Sequence, residues 1–197
     1  FGKQFEHLRT GASWDTVVGN LERLKTLSEK VQNNLNKEWG YHKKNMGIEV
    51  YCDATVGWLN LKSVFKLHKF LYDNHYVLLD DPYYNKLLAK PLNFPVGASL
   101  NQTPPELREE LLESIEEYRS WVLSVYPYDP TNWMKDLDSL VSYIKNSKYN
   151  EKDLVKWVKI SKHLDDRYKL NTPEAFKFDN DTWNKKFSDI YNNIKII

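Results

Sequence analysis

Few side chains in this sequence have the type and spacing that a catalytic or metal centre requires. Cys52 is the single cysteine, and no neighbouring histidine or helix start is available to lower its pKa and make it a nucleophile. The five histidines lie at 7, 42, 68, 75 and 163, and no two have the three-to-five-residue spacing of a zinc site on one helix. We therefore predict no metal site and no cofactor.

The densest group of candidate catalytic residues surrounds a turn near residue 80. His75, Asp80, Asp81 and Tyr84 supply an imidazole, two carboxylates and a phenol, which are groups that general acid–base catalysis uses. Carboxylates around a turn more often cap backbone N–H groups, and these four would act together only if the fold gathered them in one pocket. An enzyme with a site assembled from distant residues is the second alternative function.

Two basic stripes on predicted helices are either solvated helix faces or the candidates for a nucleic-acid interface. Each has three lysines at helical spacing, so that they share one helix face and could follow a phosphate backbone. The 28 basic residues include only five arginines and are balanced by 27 acidic residues, which disfavours a surface built mainly for phosphate. A winged-helix-like nucleic-acid-binding domain is the first alternative function. The lysines are Lys62, Lys66 and Lys69, followed by Lys152, Lys156 and Lys159.

Aromatic side chains at the ends of predicted elements are the candidates for protein contacts. Tyr83, Tyr84, Phe94, Tyr126 and Tyr128 lie outside the regular apolar stripes of the helices. Exposed aromatic residues are enriched among those that contribute most to protein–protein binding, although such rings can also close helix ends against the core. The leading hypothesis is a non-catalytic helical protein–protein interaction module within a larger protein or multi-subunit assembly.

The composition predicts a folded domain. Of 197 residues, 41% are hydrophobic and 14% are aromatic, which supplies enough apolar surface for a packed core. We expect a single helical domain over 1–197. Prolines cluster in a loop over 90–105, so a subdivision into 1–95 and 103–197 is the alternative.

The predicted location is intracellular, either cytoplasmic or nuclear. The sequence has one cysteine, no visible signal peptide and no apolar run of about 18 residues that could span a membrane. It begins with Phe1, so a preceding targeting segment could have been removed.

The periodicity of apolar residues predicts an all-α (mainly α) domain, a compact multi-helix domain of short antiparallel helices. Thr103, Asp129 and Thr172 each precede a proline, as a capping residue precedes a proline in the first turn of a helix. Apolar residues recur at helical spacing in the segments 13–39, 59–73, 104–126, 131–146, 151–168 and about 180–195.

Two details of this prediction depend on local pattern alone. In the helix over 151–168, we expect Leu154, Trp157, Val158 and Leu164 to form the core side. Apolar and polar residues alternate near position 50, a pattern typical of a strand, so a small β element near 48–80 is an alternative to an irregular connection.

Overall fold

The structure, a computed structural model, describes residues 13–39, 54–76, 89–93, 95–126 and 128–194. In these ranges the chain forms seven α-helices, three short 3-10 helices and two short strands. The 3-10 helices are Val96–Ala98, Leu100–Gln102 and Pro105–Leu107. The other elements, in chain order, are α1 (Trp14–Trp39), β1 (Ala54–Val56), α2 (Leu61–Asp73), β2 (Ala89–Pro91), α3 (Arg108–Val125), α4 (Thr131–Lys145), α5 (Glu151–Tyr168), α6 (Thr172–Ala175) and α7 (Asp181–Asn193).

The predicted mainly α class is confirmed, while the small β element differs from the expectation. Strand β1 lies within the range 48–80, but its partner β2 lies beyond it. The two strands run parallel, with Ala54 opposite Ala89 and Val56 opposite Pro91. Parallel strands need a crossover connection instead of a tight hairpin. The described strands therefore do not form the hairpin wing that a winged-helix-like domain needs.

Helix α3 lies against α2 and α4 and supplies one wall of the core. Its residues Leu111, Ile115, Tyr118 and Val122 are spaced by four, three and four positions, and all are buried. This spacing keeps them on one side of a 3.6-residue helix. The acidic residues of α3 consequently lie on its other sides, and the buried residues are ones that recur at helical spacing within the predicted segment 104–126.

Trp58 joins the residues on the two sides of the proline-rich loop. Its ring is fully buried, and its indole N–H donates a 2.8 Å hydrogen bond to the carbonyl oxygen of Gly97. The ring centroid lies 6.3 Å from that of Trp157 and 5.4 Å from that of Trp183. One buried cluster thus includes residues from before and after the loop. The extent of a domain over 1–197 stays a prediction.

Helix α5 is held close to the first 3-10 helix, which contains Gly97. A Cβ atom at Gly97 would lie only 2.3 Å from the carbonyl oxygen of Asp153, so this backbone approach requires a residue without a side chain. The buried residues of α5 are Leu154, Trp157, Val158, Ser161 and Asp165. Leu164 was expected on this side but is exposed.

Candidate functional site

Three large apolar side chains on α5 face solvent along one line. Ile160 is 50% exposed, Leu164 is 39% exposed and Tyr168 is 44% exposed. They follow one another at intervals of four residues, so they lie on adjacent turns of the same helix face. We call these three residues the α5 stripe. Large apolar side chains lined up in this way are a common feature of protein-interaction surfaces.

The exposure of the α5 stripe follows from the residues that α5 buries. Asp165 accepts hydrogen bonds from the backbone N–H of Thr172 at 2.7 Å and from the Tyr191 hydroxyl at 2.6 Å, so its carboxylate must point inward. Successive residues are about 100° apart around a helix. With Asp165 and Ser161 buried, the preceding residues Leu164 and Ile160 turn towards solvent.

Basic side chains border the α5 stripe on one side and at its N-terminal end. Lys159, His163 and Arg167 are exposed and form the row next to the stripe, while the exposed Lys152 and Lys156 continue the row of the stripe towards the start of α5. The Arg167 guanidinium carbon is 5.3 Å from the centre of the Tyr168 ring. We call these five residues the basic border.

Most of the basic border forms no ion pair within the described part of the chain, although the exposed Asp166 directly precedes Arg167. Only Lys156 forms an ion pair with a described residue, at 3.0 Å from Asp153. On the opposite side of the stripe, α5 turns into the core at Trp157 and Ser161. The exposed face of α5 thus combines an apolar stripe with positive charge along one edge.

The stripe of lysines on α2 has a different environment. The Lys62 ammonium lies 2.7 Å from Glu110 and 2.8 Å from Asp179. Burial alone would lower the pKa of Lys62, but hydrogen bonds to Asp179 and Glu110 outweigh it and hold that pKa above its ordinary value. Lys69 lies over the ring of Trp121 at 5.7 Å, and Lys66 is exposed. Nearby carboxylates therefore partly neutralise this stripe of lysines, and its attraction for a phosphate backbone is reduced.

The aromatic candidates for protein contacts have separate outcomes. Tyr83, Tyr84 and Phe94 lie outside the described residues. Tyr126 is only 6% exposed and belongs to the core, where its ring lies 6.0 Å from that of Trp133, so it does not face solvent as expected. Tyr128 is exposed and stays a candidate.

The predicted catalytic group cannot be assembled from what the structure describes. Asp80, Asp81 and Tyr84 lie outside the described residues. His75 is exposed and has a φ of 57°, and its N–H donates to the carbonyl oxygen of Tyr72. Left-handed backbone of this kind is typical of a residue that ends a helix, which gives His75 a structural role at the end of α2.

His68 is the described histidine with the most perturbed proton affinity. Burial lowers its pKa to about 4, because a charged imidazolium would lose its hydration. Its Nδ1 atom lies 2.9 Å from the hydroxyl of the buried Tyr118. His68 is therefore neutral near pH 7 and joins α2 to α3.

A groove of about 730 Å³ runs along α5 and α7 on a different side of α5 from the stripe. Lys186 lies in it, 2.7 Å from Glu106 and 5.3 Å from the ring centre of Tyr149. Burial would lower the pKa of Lys186, but the hydrogen bond to Glu106 and the electrostatic attraction of Tyr149, Glu106 and Glu151 together outweigh it, so the pKa lies above its ordinary value. An amine held in its protonated form is a poor general base. This groove consequently offers charge pairing instead of acid–base chemistry.

No protein-family model matches the chain, and no curated protein or solved structure is significantly similar to it. Among the described helices, none has both the length and the apolar character needed to cross a membrane. Function must therefore be inferred from the chemistry of the surface, since one helical fold can serve many purposes.

The sequence identified part of this surface and missed the rest. The spacing of Lys152, Lys156 and Lys159 revealed one edge of the exposed face of α5. The α5 stripe was missed because Leu164 was assigned to the core side. The signal that could have revealed it is the four-residue spacing of Ile160, Leu164 and Tyr168, which is offset from the line of Leu154 and Val158.

Proposed function

We propose that this chain is a non-catalytic helical protein–protein interaction module, part of a larger protein or assembly, whose docking surface is the exposed face of α5. The single observation that carries the proposal is the α5 stripe, in which Ile160, Leu164 and Tyr168 are each more than a third exposed on successive turns. The single cysteine is in keeping with a reducing, intracellular setting for such a module.

The energetic case rests on apolar surface. Removing apolar area from water contributes about 25 cal/mol per Å², so covering three large side chains supplies a substantial part of a moderate binding energy. Leu154, Trp157 and Val158 of α5 are buried in the core and fix the position of the helix. A rigid surface loses little conformational entropy when a partner binds.

The proposal is tested by placing a photo-crosslinking amino acid, p-benzoylphenylalanine, at Leu164 in the full chain. Leu123 provides the matched control, because it is an exposed leucine on α3, away from the α5 stripe. In extract from the cells of origin, we expect position 164 to crosslink to a discrete protein that unmodified chain displaces. Equal crosslinking from both positions, or none at position 164, would overturn the proposal.

The exposed lysines of the basic border also favour one second candidate function, nucleic-acid binding. Lys152, Lys156 and Lys159 are all exposed on one helix face. The test is a fluorescence-anisotropy titration with labelled duplex and single-stranded DNA and RNA at two salt concentrations. Binding that weakens steeply with salt and is lost when the three lysines become glutamine would favour this function.

A further inference from the structure

We propose that the partner presents an acidic amphipathic α-helix to the exposed face of α5. This inference rests on the proposed function and adds the chemistry of the partner. Apolar residues of the partner helix, spaced by three or four positions, would pack against Ile160, Leu164 and Tyr168. Its carboxylates would line the edge that faces the basic border.

The geometry of the α5 stripe favours a helix over an extended peptide. The backbone N–H and C=O groups within α5 are bonded inside the helix, so this surface offers no edge for strand addition. An extended segment lying on it would bury its own backbone polar groups without partners, which is costly. A helix satisfies its backbone internally and presents an apolar row that matches the stripe, about 12 Å long over eight residues.

The positions of the charged residues beside the stripe determine which charge the partner helix must carry. They also determine which flank of that helix must carry it. Basic side chains flank the stripe on only one side, because the other side turns into the core at Trp157. Carboxylates are therefore expected on one flank of the partner's apolar row. Arg167 lies over Tyr168 at 5.3 Å, so its position is held by the stripe itself. Guanidinium N–H groups bind a carboxylate in a bidentate manner, which adds orientation as well as attraction.

The experiment is a selection from a phage-displayed library of 20-residue helical peptides. The apolar row of each peptide is fixed as leucine, and the positions flanking that row are randomised. Four forms of the full chain serve as baits: the unmodified chain, Lys159→Glu with Arg167→Glu, Ile160→Ser with Leu164→Ser, and the control Leu123→Ser. All substituted positions are exposed, so each bait is expected to fold, as circular dichroism will verify.

The unmodified chain and Leu123→Ser are expected to select peptides enriched in Asp and Glu on one flank. The charge-reversed bait should bind those peptides at least about tenfold more weakly, a loss of 1.4 kcal/mol, and should select Lys and Arg instead. Binders from the unmodified chain that lack acidic enrichment, or that ignore charge reversal, would overturn the acidic-partner inference and leave the proposed function standing. Binders unaffected by Ile160→Ser with Leu164→Ser would overturn both.

Two other partners are separate outcomes of the same study. Vesicles of phosphatidylcholine with phosphatidylglycerol and a labelled DNA duplex are titrated with the same four baits. If the unmodified chain binds either one more tightly than the selected peptides, and the α5 substitutions abolish that binding, a membrane surface or a nucleic acid replaces the acidic helix as the partner. Weaker binding to both supports the inference.

Discussion

The hydroxyl of Tyr191 donates a 2.6 Å hydrogen bond to the buried carboxylate of Asp165, which joins α7 to α5. The same carboxylate accepts hydrogen bonds from the N–H and the hydroxyl of Thr172. Burial, together with the hydrogen bond to Asp165, raises the pKa of the Tyr191 phenol above its ordinary value. One carboxylate thus joins α5 to α6 and α7 and, with the apolar residues that α5 buries, determines which face of α5 remains exposed.

Replacing this carboxylate should destabilise the fold. For Asp165→Asn we expect the free energy of unfolding to fall by about 2 kcal/mol, because an amide nitrogen cannot accept the hydrogen bonds that now satisfy buried donors. Tyr191→Phe should cost about 1 kcal/mol, since only one hydrogen bond is lost. Urea denaturation measures both. Asp166→Asn is the matched control at an exposed neighbouring position, and an equal loss there would contradict the role assigned to Asp165.

The close packing of the first 3-10 helix on α5 makes Gly97 sensitive to a single methyl group. In Gly97→Ala the added Cβ would lie 2.3 Å from the Asp153 carbonyl oxygen, and backbone would have to move. We expect a loss of about 1–3 kcal/mol, as for other overpacked sites. The measurement is the midpoint of thermal unfolding.

Gly19→Ala is the control for that substitution, because it adds the same methyl group in open space. A Cβ at Gly19 has no heavy atom within 4 Å, and the residue lies on an exposed face of α1. Alanine is favoured over glycine within a helix by about 0.5–1 kcal/mol, so this variant should be slightly more stable than the unmodified chain. Equal destabilisation by both substitutions would show that the Gly97 contact is not the cause.

The partly buried imidazole of His68, which contacts the buried Tyr118, should make stability fall in mild acid. Its pKa is lowered from 6.5 to about 4 on folding, so between these values the unfolded chain binds a proton that the folded chain does not. Stability is therefore complete above about pH 6.5, decreases as the pH falls towards 4, and loses about 3 kcal/mol over that window. Urea denaturation between pH 4 and 7 measures this dependence.

Two histidine variants separate His68 from other titrating groups. His68→Gln should flatten the change in stability between pH 6.5 and 4, whereas His163→Gln, at an exposed position, should leave it in place. The pKa of Asp129 and that of Asp179 are lowered, mainly by hydrogen bonds to Thr131 and Lys62 respectively. Protonation of those two carboxylates therefore reduces the stability of the fold only at pH values below about 4. A flat profile in the unmodified chain would contradict the prediction.

Lys162 caps the C-terminal end of α7 from a neighbouring helix. Its ammonium donates hydrogen bonds to the carbonyl oxygens of Tyr191 at 2.9 Å and Ile194 at 2.8 Å, where a helix has free acceptors and partial negative charge. In Lys162→Met we expect amide hydrogen exchange to accelerate in the last turn of α7 and stability to fall by about 1 kcal/mol. Lys159→Met, at an exposed position, is the control and should change neither.

Local pattern determined where the helices lie. The predicted segment 151–168 coincides with α5, and 131–146 differs from α4 by one residue. The buried residues of α3 were likewise those with helical spacing. These features are predictable because helix formation and one-sided burial depend on residues within a few turns of one another.

Local pattern also misassigned residues whose partners are distant in sequence. Thr172 was expected to cap a helix, but Asn171 accepts the N–H of Glu174 and the Thr172 hydroxyl binds Asp165. Tyr126 was expected at the surface and is buried. Strand β1 has its partner more than 30 residues away, where local alternation gives no signal.

The sequence by itself thus determined the helices and the basic edge of α5, whereas the tertiary structure decided which face of α5 is covered. An aspartate followed by a second charged residue, as Asp165 is by Asp166, is ordinarily assigned to the surface, and a leucine beside it to the core. Hydrogen bonds from Thr172 and Tyr191 reverse that assignment for Asp165. Because a buried carboxylate is tolerated only when its oxygens are satisfied, residues from two other helices were needed to turn Leu164 outward.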